Sequence, residues 1–184
     1  MLILASQSPR RRELLAQAGV VCVVDPADVD ESVHAGELPA TYAERVARAK
    51  AAIVAARHPG RFVLGADTVV VLEGEIFGKP ADANDAHRML RRLSGKEHHV
   101  LTAVAIARDA EIRSHVEKSV VEMREITEIE IADYVNGGEP MDKAGAYAIQ
   151  GGAAAFVCRV SGEFDTIVGL PVKVALNLLN SYSK

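Results

Sequence analysis

Apolar positions along the chain fall into short runs broken by turn residues, and the rhythm switches repeatedly between strand-like and helix-like spacing. Residues 2–5 read as a buried strand. Ser6, Gln7, Ser8 and Pro9 break the run, and Leu14, Leu15 and Ala18 then set a helical stripe that ends at Gly19. Residues 20–24, a β-branched run, predict a second strand. Alanine content and the spacing of Tyr42, Val46, Ala49 and Ile53 predict a helix over 39–57. The segment FVLGADTVVVLEGEIFGKP reads as two strands about Glu73-Gly74, with Gly65, Ala66 and Asp67 cutting through its apolar run. A helix follows over 82–93, ended by Ser94-Gly95, then a central strand over 99–107. Asp109-Ala110-Glu111 turns the chain into a strand over 112–123. Thr127 and Glu130 form a capping box for a helix through Tyr134 that stops at Gly137-Gly138. Residues 139–151, rich in small side chains and without periodicity, have the length of a functional loop. Residues 153–160 predict a further buried strand. After Gly169-Leu170-Pro171 a last helix runs through Leu179, as core packing or a dimer face.

With 184 residues, 49% of them hydrophobic, the chain can bury an ordinary core as one domain or two small lobes. A net charge of −4 argues against a general nucleic-acid or membrane surface and makes any basic cluster local. Cys22 and Cys158 sit in apolar runs without C-x-x-C spacing, which predicts buried free thiols in a reducing compartment, the cytoplasm. The start carries its apolar residues before its arginines, the reverse of a signal peptide, and no uncharged apolar run reaches the roughly 18 residues of a membrane span.

Several residues stand out chemically. Ser8 is a good N-cap and Pro9 a good first helical residue, but Arg10, Arg11 and Arg12 then oppose the positive end of the helix dipole. Either they point into solvent or an anion sits there, met by backbone N–H groups, two serine hydroxyls and guanidinium forks. The stretch DPADVDES, residues 25–32, clusters carboxylates that are either a solvated acidic loop or ligands of a divalent cation. Asp67 lies in a run of Val and Leu. An ionised carboxylate buried there costs several kcal/mol unless paired or metal-bound; the alternative is a bulge at a strand end that leaves it in water. Lys50 falls on or near the apolar face of its helix, where a lysine usually snorkels to the surface unless a phosphate meets it. Gly78-Lys79-Pro80 is not a P-loop, because its spacing from Gly74 is one residue short and Pro80 stands where Ser or Thr would bind magnesium; Lys79 can still meet phosphate as a point charge. The pair His98-His99 lacks partners at zinc spacing and reads as the start of a strand. Gln150 can hydrogen-bond a base through both amide groups, or cap the backbone of its turn.

Taken together, Ser6-x-Ser8-Pro9-Arg10-Arg11, Gly65-Ala66-Asp67-Thr68-Val69-Val70, Gly78-Lys79-Pro80, Asp142-Lys143-Ala144-Gly145 with Ile149-Gln150-Gly151, and Val168-Gly169-Leu170-Pro171 resemble the Maf family over nearly the whole chain. The Gly65 to Thr68 and Ile149 to Gly151 blocks are similar to the dTTP/UTP pyrophosphatase branch. The resemblance implies a single domain over 1–184, a mixed α/β fold with an elongated twisted sheet flanked by helices and two lobes around a central cleft, as in inosine triphosphatases, and a homodimer. It implies a nucleoside triphosphate pyrophosphatase that cleaves between the α- and β-phosphates with a divalent cation, magnesium or manganese. By that resemblance Asp67 is general base or metal-bound carboxylate, and Arg10, Thr68 and Gln150 occupy the positions tied to base preference. Ser6, Ser8 and Arg11 face phosphates, with Arg12 left to solvent. Glu31, Lys50 and Lys79 match catalytic or ligand positions, with Glu31 and Asp67 holding the metal and Asp30 the alternative to Glu31. In the same family stand a methylated-guanosine branch, and beside it broader nucleotide-cleansing enzymes; a regulator of septum formation is the reading from another class.

Overall fold

The computed structural model describes residues 1–182, and its strands and helices alternate along the chain. In order they are β1 (Leu2–Leu4), α1 (Pro9–Gln17), β2 (Cys22–Val24), α2 (Pro39–Ala55), β3 (Val63–Leu72), β4 (Glu75–Phe77), α3 (Ala83–Leu93), β5 (Glu97–Arg108), β6 (Glu111–Met123), α4 (Glu128–Asn136), β7 (Val157–Ser161), α5 (Phe164–Val168) and α6 (Val172–Ser181). The strands form one mixed sheet in the order β2-β1-β3-β5-β6-β7, with β4 paired to β3. β1 runs parallel to both β2 and β3, as a strand–helix–strand connection requires, and β4 and β7 pair antiparallel with β3 and β6. No described helix is long and apolar enough to cross a membrane.

Two compact units share the chain. One comprises Met1–Thr68, Thr102–Glu117 and Gly169–Lys184, of which 183–184 lie outside the described residues; the other comprises Val69–Leu101 and Lys118–Val168. In the first, Leu2, Leu4, Leu15, Leu64, Val104, Ile106 and Leu170 form a buried core, closed by Val172, Leu178 and Leu179 of α6. Each such leucine contributes about 1.5–3 kcal/mol by leaving water. The last helix is therefore core packing on at least one face. Gly65 lets α2 lie directly on β3. A Cβ at this position would stand 2.3 Å from the Ala47 carbonyl oxygen and 2.7 Å from the Ala51 nitrogen, so only a glycine fits. This contact explains a difference from the expected helix face. Tyr42 and Val46 are buried as predicted, but Ala43, Ala47, Lys50, Ala51 and Val54 complete the face, while Ile53 is exposed. Small residues, not the largest apolar ones, mark a helix that approaches this closely.

In the second unit, the β3–β4 hairpin turns on Glu73 (φ 53°) and Gly74 (φ 83°), the two left-handed residues that a type I′ turn demands. Asp82 caps α3 by accepting from the Asp85 nitrogen, and Thr127 and Glu130 complete their capping box on α4. His98 is buried within β5 with Nε2 at 2.8 Å from the Tyr147 hydroxyl, and burial holds its pKa down to about 4, so it is a neutral core histidine.

One expectation fails in this region, the buried strand over 153–160, while the stretch over 139–151 holds only irregular turns. Residues 139–151 contain two short 3-10 turns, Glu139–Asp142 and Ala144–Ala146. The stretch read as a buried strand over 153–160 begins as a third 3-10 turn, Gly152–Phe156, and only then becomes β7, which is largely exposed because it ends the sheet and pairs with β6 alone. Cys158, expected to be buried, is consequently exposed, and Cys22 is only partly covered; both are free thiols. Apolar neighbours in sequence cannot report that a strand lies at an edge.

Candidate active site

The tight turn between β1 and α1 is built as its residue types require. Ser8 occupies the N-cap position with extended backbone and Pro9 opens the helix, yet the Ser8 side chain makes no capping hydrogen bond. The first-turn N–H groups therefore keep the positive potential that favours an anion. Arg10 is half-buried and Arg12 exposed.

Arg11 turns the other way. Its Nε donates to the Gly169 carbonyl (2.8 Å), Nη1 to the Ser6 hydroxyl and the Ala66 carbonyl (both 2.9 Å), and Nη2 to the Thr68 hydroxyl (3.1 Å). Four contacts leave one N–H of the five that a guanidinium carries. Burial pulls the Arg11 pKa below its ordinary value, and nearby Asp67 opposes that shift. Arg11 was expected to face phosphate. Here it ties the β1–α1 turn, the residues on both sides of Asp67, and the start of the segment before α6 into one block. We expect Arg11→Lys to lower the unfolding free energy by about 2–4 kcal/mol without any nucleotide present, since an ammonium cannot reach these buried acceptors together. A urea midpoint unchanged from wild type would contradict this.

Asp67 lies inside β3, away from either strand end, and is 7% exposed, so it does not sit in water. Its Oδ1 is 2.8 Å from the Lys50 ammonium, and Glu31 Oε1 lies at the same distance from that nitrogen. Lys50, only 8% exposed, does not snorkel. Burial raises the Asp67 carboxyl above its usual range, while Lys50 and then Arg11 work against the shift. Such a carboxylate is a stronger base than one in water. Of the two alternatives in the acidic loop, Glu31 carries the carboxylate that reaches Lys50, whereas Asp30 accepts from the Ser32 nitrogen (2.8 Å). Tyr42 donates its hydroxyl to the Glu31 carbonyl (2.8 Å) and so fixes the loop to α2. Asp25, in the same acidic stretch, is answered by His58 (2.7 Å) and Arg57 (3.3 Å).

Thr68 joins the same block through Arg11 and through the Thr102 hydroxyl at 2.9 Å. Thr102 was not foreseen; the signal was available, a hydroxyl inside the apolar run of β5 that ends fully buried. Lys79 and Gln150 belong to the second unit and are both exposed. The loop holding Lys79 is fixed by the Gly145 nitrogen donating to the Gly78 carbonyl (3.0 Å), which joins two of the motif blocks. Ser6, Arg11, Glu31, Lys50, Asp67 and Thr68 are thus brought together within the first unit.

The donor types suit a hard divalent cation: two carboxylates, Glu31 and Asp67, converge on the Lys50 ammonium. Among the described residues no group of three or more His, Cys, Asp or Glu surrounds a single point. A hard divalent cation held by one or two carboxylates takes its remaining oxygen ligands from water and substrate phosphates.

The family model described as Maf-like protein matches residues 1–182. The chain belongs to the Maf family. Among its Maf relatives, the dTTP/UTP pyrophosphatase of Symbiobacterium thermophilum is 50% identical over 182 residues, covering 98% of this chain and 93% of the relative. The dTTP/UTP pyrophosphatase of Anaeromyxobacter dehalogenans (strain 2CP-1) is 54% identical over 183 residues, 97% of this chain and 92% of the relative. That of Myxococcus xanthus is 50% identical over 179 residues, 97% and 91%. Among solved structures, the Staphylococcus aureus Ham1 protein superposes with a TM-score of 0.52 at 15% identity, covering 98% of this chain and 96% of that one, a likeness of fold. The mixed α/β sheet flanked by helices is therefore the architecture of this Maf protein and of Ham1 alike.

Proposed function

We propose that this Maf protein is a nucleoside triphosphate pyrophosphatase that hydrolyses dTTP and UTP to the nucleoside monophosphate and pyrophosphate. The observation that carries the reading is the buried Asp67 carboxylate held between Lys50 and the strand residues that Arg11 locks, in a chain half identical to proteins named for that reaction. Asp67 takes a proton from the attacking water as its oxygen bonds to the α-phosphorus; the α–β bridging P–O bond breaks and pyrophosphate leaves. Arg10, Lys50 and Lys79 stabilise charge on the phosphoryl oxygens, assisted by Ser6, Ser8 and the open N-terminus of α1. Glu31 and Asp67 would hold magnesium or manganese, which supplies charge neutralisation on the phosphates. Gln150 and Thr68 select the base by the carbonyl and N3–H edge that uracil and thymine share; the Thr68 hydroxyl has two partners already, so Gln150 carries more of this task. Arg11 acts through its neighbours as a positioning residue. We place the enzyme in the cytoplasm as a homodimer acting on free nucleotides, a setting that suits two free cysteines and a net charge of −4.

A panel of UTP, dTTP, CTP, ATP, GTP, inosine triphosphate and 7-methyl-GTP, assayed for pyrophosphate with magnesium and with manganese, tests this reading. UTP and dTTP are expected to give the highest kcat/KM, with activity abolished by a chelator and restored by either metal. Fastest turnover of purine or 7-methylated substrates would overturn the pyrimidine assignment. Blank assays together with capture of a division protein would favour the regulatory role.

A further inference from the structure

Residues 134 and 139 hold the chain on both sides of Gln150. Tyr134, on α4, donates its hydroxyl to Glu139 Oε1 (2.9 Å) and accepts from the Ala148 nitrogen (3.0 Å). The other carboxylate oxygen of Glu139 accepts from the Gly152 nitrogen (3.1 Å). Two linked side chains thus fix backbone N–H groups two residues before and two residues after Gln150, and the turn closes on itself where the Gly151 nitrogen donates to the Ala148 carbonyl (3.0 Å). The carboxylate lies hard against this turn: a Cβ on Gly151 would stand 2.0 Å from Glu139 Oε1. Gly151 has φ −112°, so a side chain there would meet no dihedral strain and would instead push the Glu139 carboxylate aside. The pair is itself held. The Tyr134 ring packs edge-on against Phe156 at 5.5 Å, and Glu139 opens the 3-10 turn that follows Gly137-Gly138. Tyr147, Ala148 and Ile149 are buried beneath, while Gln150 alone of this run is exposed.

We infer that Tyr134 and Glu139 form a clamp that fixes the Gln150 turn and thereby sets which base the enzyme accepts. The inference rests on the assignment of Gln150 as a base-reading residue. A flexible glutamine could follow the edge of a larger base as readily as a smaller one; a glutamine on a pinned turn discriminates by reach, and fixing its backbone removes an entropic cost at binding. Neither Tyr134 nor Glu139 need touch the nucleotide. Both are positioning residues, and their loss acts on KM and selectivity more than on kcat.

Tyr134→Phe removes the hydroxyl and leaves the buried Ala148 N–H without its partner. Glu139→Gln keeps the shape but has one acceptor oxygen for two donors. Both variants are expected to raise KM for UTP and to lower the UTP-over-ATP ratio of kcat/KM by about tenfold, the equivalent of one hydrogen bond, with kcat changed less than threefold. Amide hydrogen exchange at Ala148 and Gly152, read by NMR on the free enzyme, should accelerate by a similar factor. Gly151→Ala, which displaces the carboxylate from outside the core, should reproduce the loss of selectivity and serves if Tyr134→Phe fails to fold. Gln150→Ala separates the two assignments. If it collapses selectivity while the clamp variants keep wild-type ratios and exchange rates, the clamp is wrong and the reading of Gln150 stands. If Gln150→Ala leaves selectivity unchanged, both are overturned.

Discussion

Asp67→Asn is expected to lower kcat for pyrophosphate release by about 10²–10⁴-fold under saturating magnesium, the range that a positioned general base contributes. The side chain keeps its volume and one oxygen, so the change isolates the proton-accepting function. Lys50 would retain Glu31, a partner at 2.8 Å whose side chain is 46% exposed, so its charge is not left alone. Burial already weighs against the ionised form of Asp67, which further limits the cost of neutralising it. The expected signature is a near-wild-type thermal transition with turnover lost. Turnover close to wild type would remove Asp67 from the reaction and leave it as a structural partner of Lys50.

Gly65→Ala is expected to destabilise the protein by about 3–5 kcal/mol and to depress turnover of whatever remains folded. One methyl group here meets backbone, not flexible side chain: the Ala47 oxygen at 2.3 Å and the Ala51 nitrogen at 2.7 Å. Relief requires α2 to move away from β3. Overpacking normally costs about 1–3 kcal/mol and occasionally more, and the cost here passes the usual range because neither backbone atom can rotate aside. The same displacement carries Lys50, which lies between those two residues on α2, away from Asp67 on β3. Denaturant melts of the variant measure the first effect, and pyrophosphate release at a temperature where it is fully folded measures the second. A variant with wild-type stability would mean that α2 does not need this close approach.

Elements whose cause is local were legible in the sequence. The capping box at Thr127 and Glu130, the start of a helix at Asp82 and the turn between two strands at Glu73-Gly74 depend on residues within four positions of one another, and each appears where the sequence places it. Asp67 was legible for a related reason: a carboxylate in an apolar run is conspicuous whatever surrounds it. What failed depended on neighbours distant in sequence. The exposed face of β7, the outward turn of Ile53 and the accessibility of Cys158 follow from which strand ends the sheet and how near α2 lies to β3. The Tyr134–Glu139 pair carried no motif, because neither residue is unusual until Ala148 and Gly152 are brought to it.

Read alone, the residues carry the motif blocks by which the chain resembles the Maf family, the alternation of strands and helices, and the side chains available for the chemistry, because motifs, periodicity and caps are written in residues close together along the chain. What each charge does was settled by the packing of segments distant in sequence. It turned Arg11 inward onto Ser6, Ala66, Thr68 and Gly169, and it buried Lys50 between Asp67 and Glu31. A charged side chain's role is set by its desolvation and by its nearest partners, and these include residues far along the chain: Asp67 lies 17 positions from Lys50, and Gly169 lies 158 from Arg11.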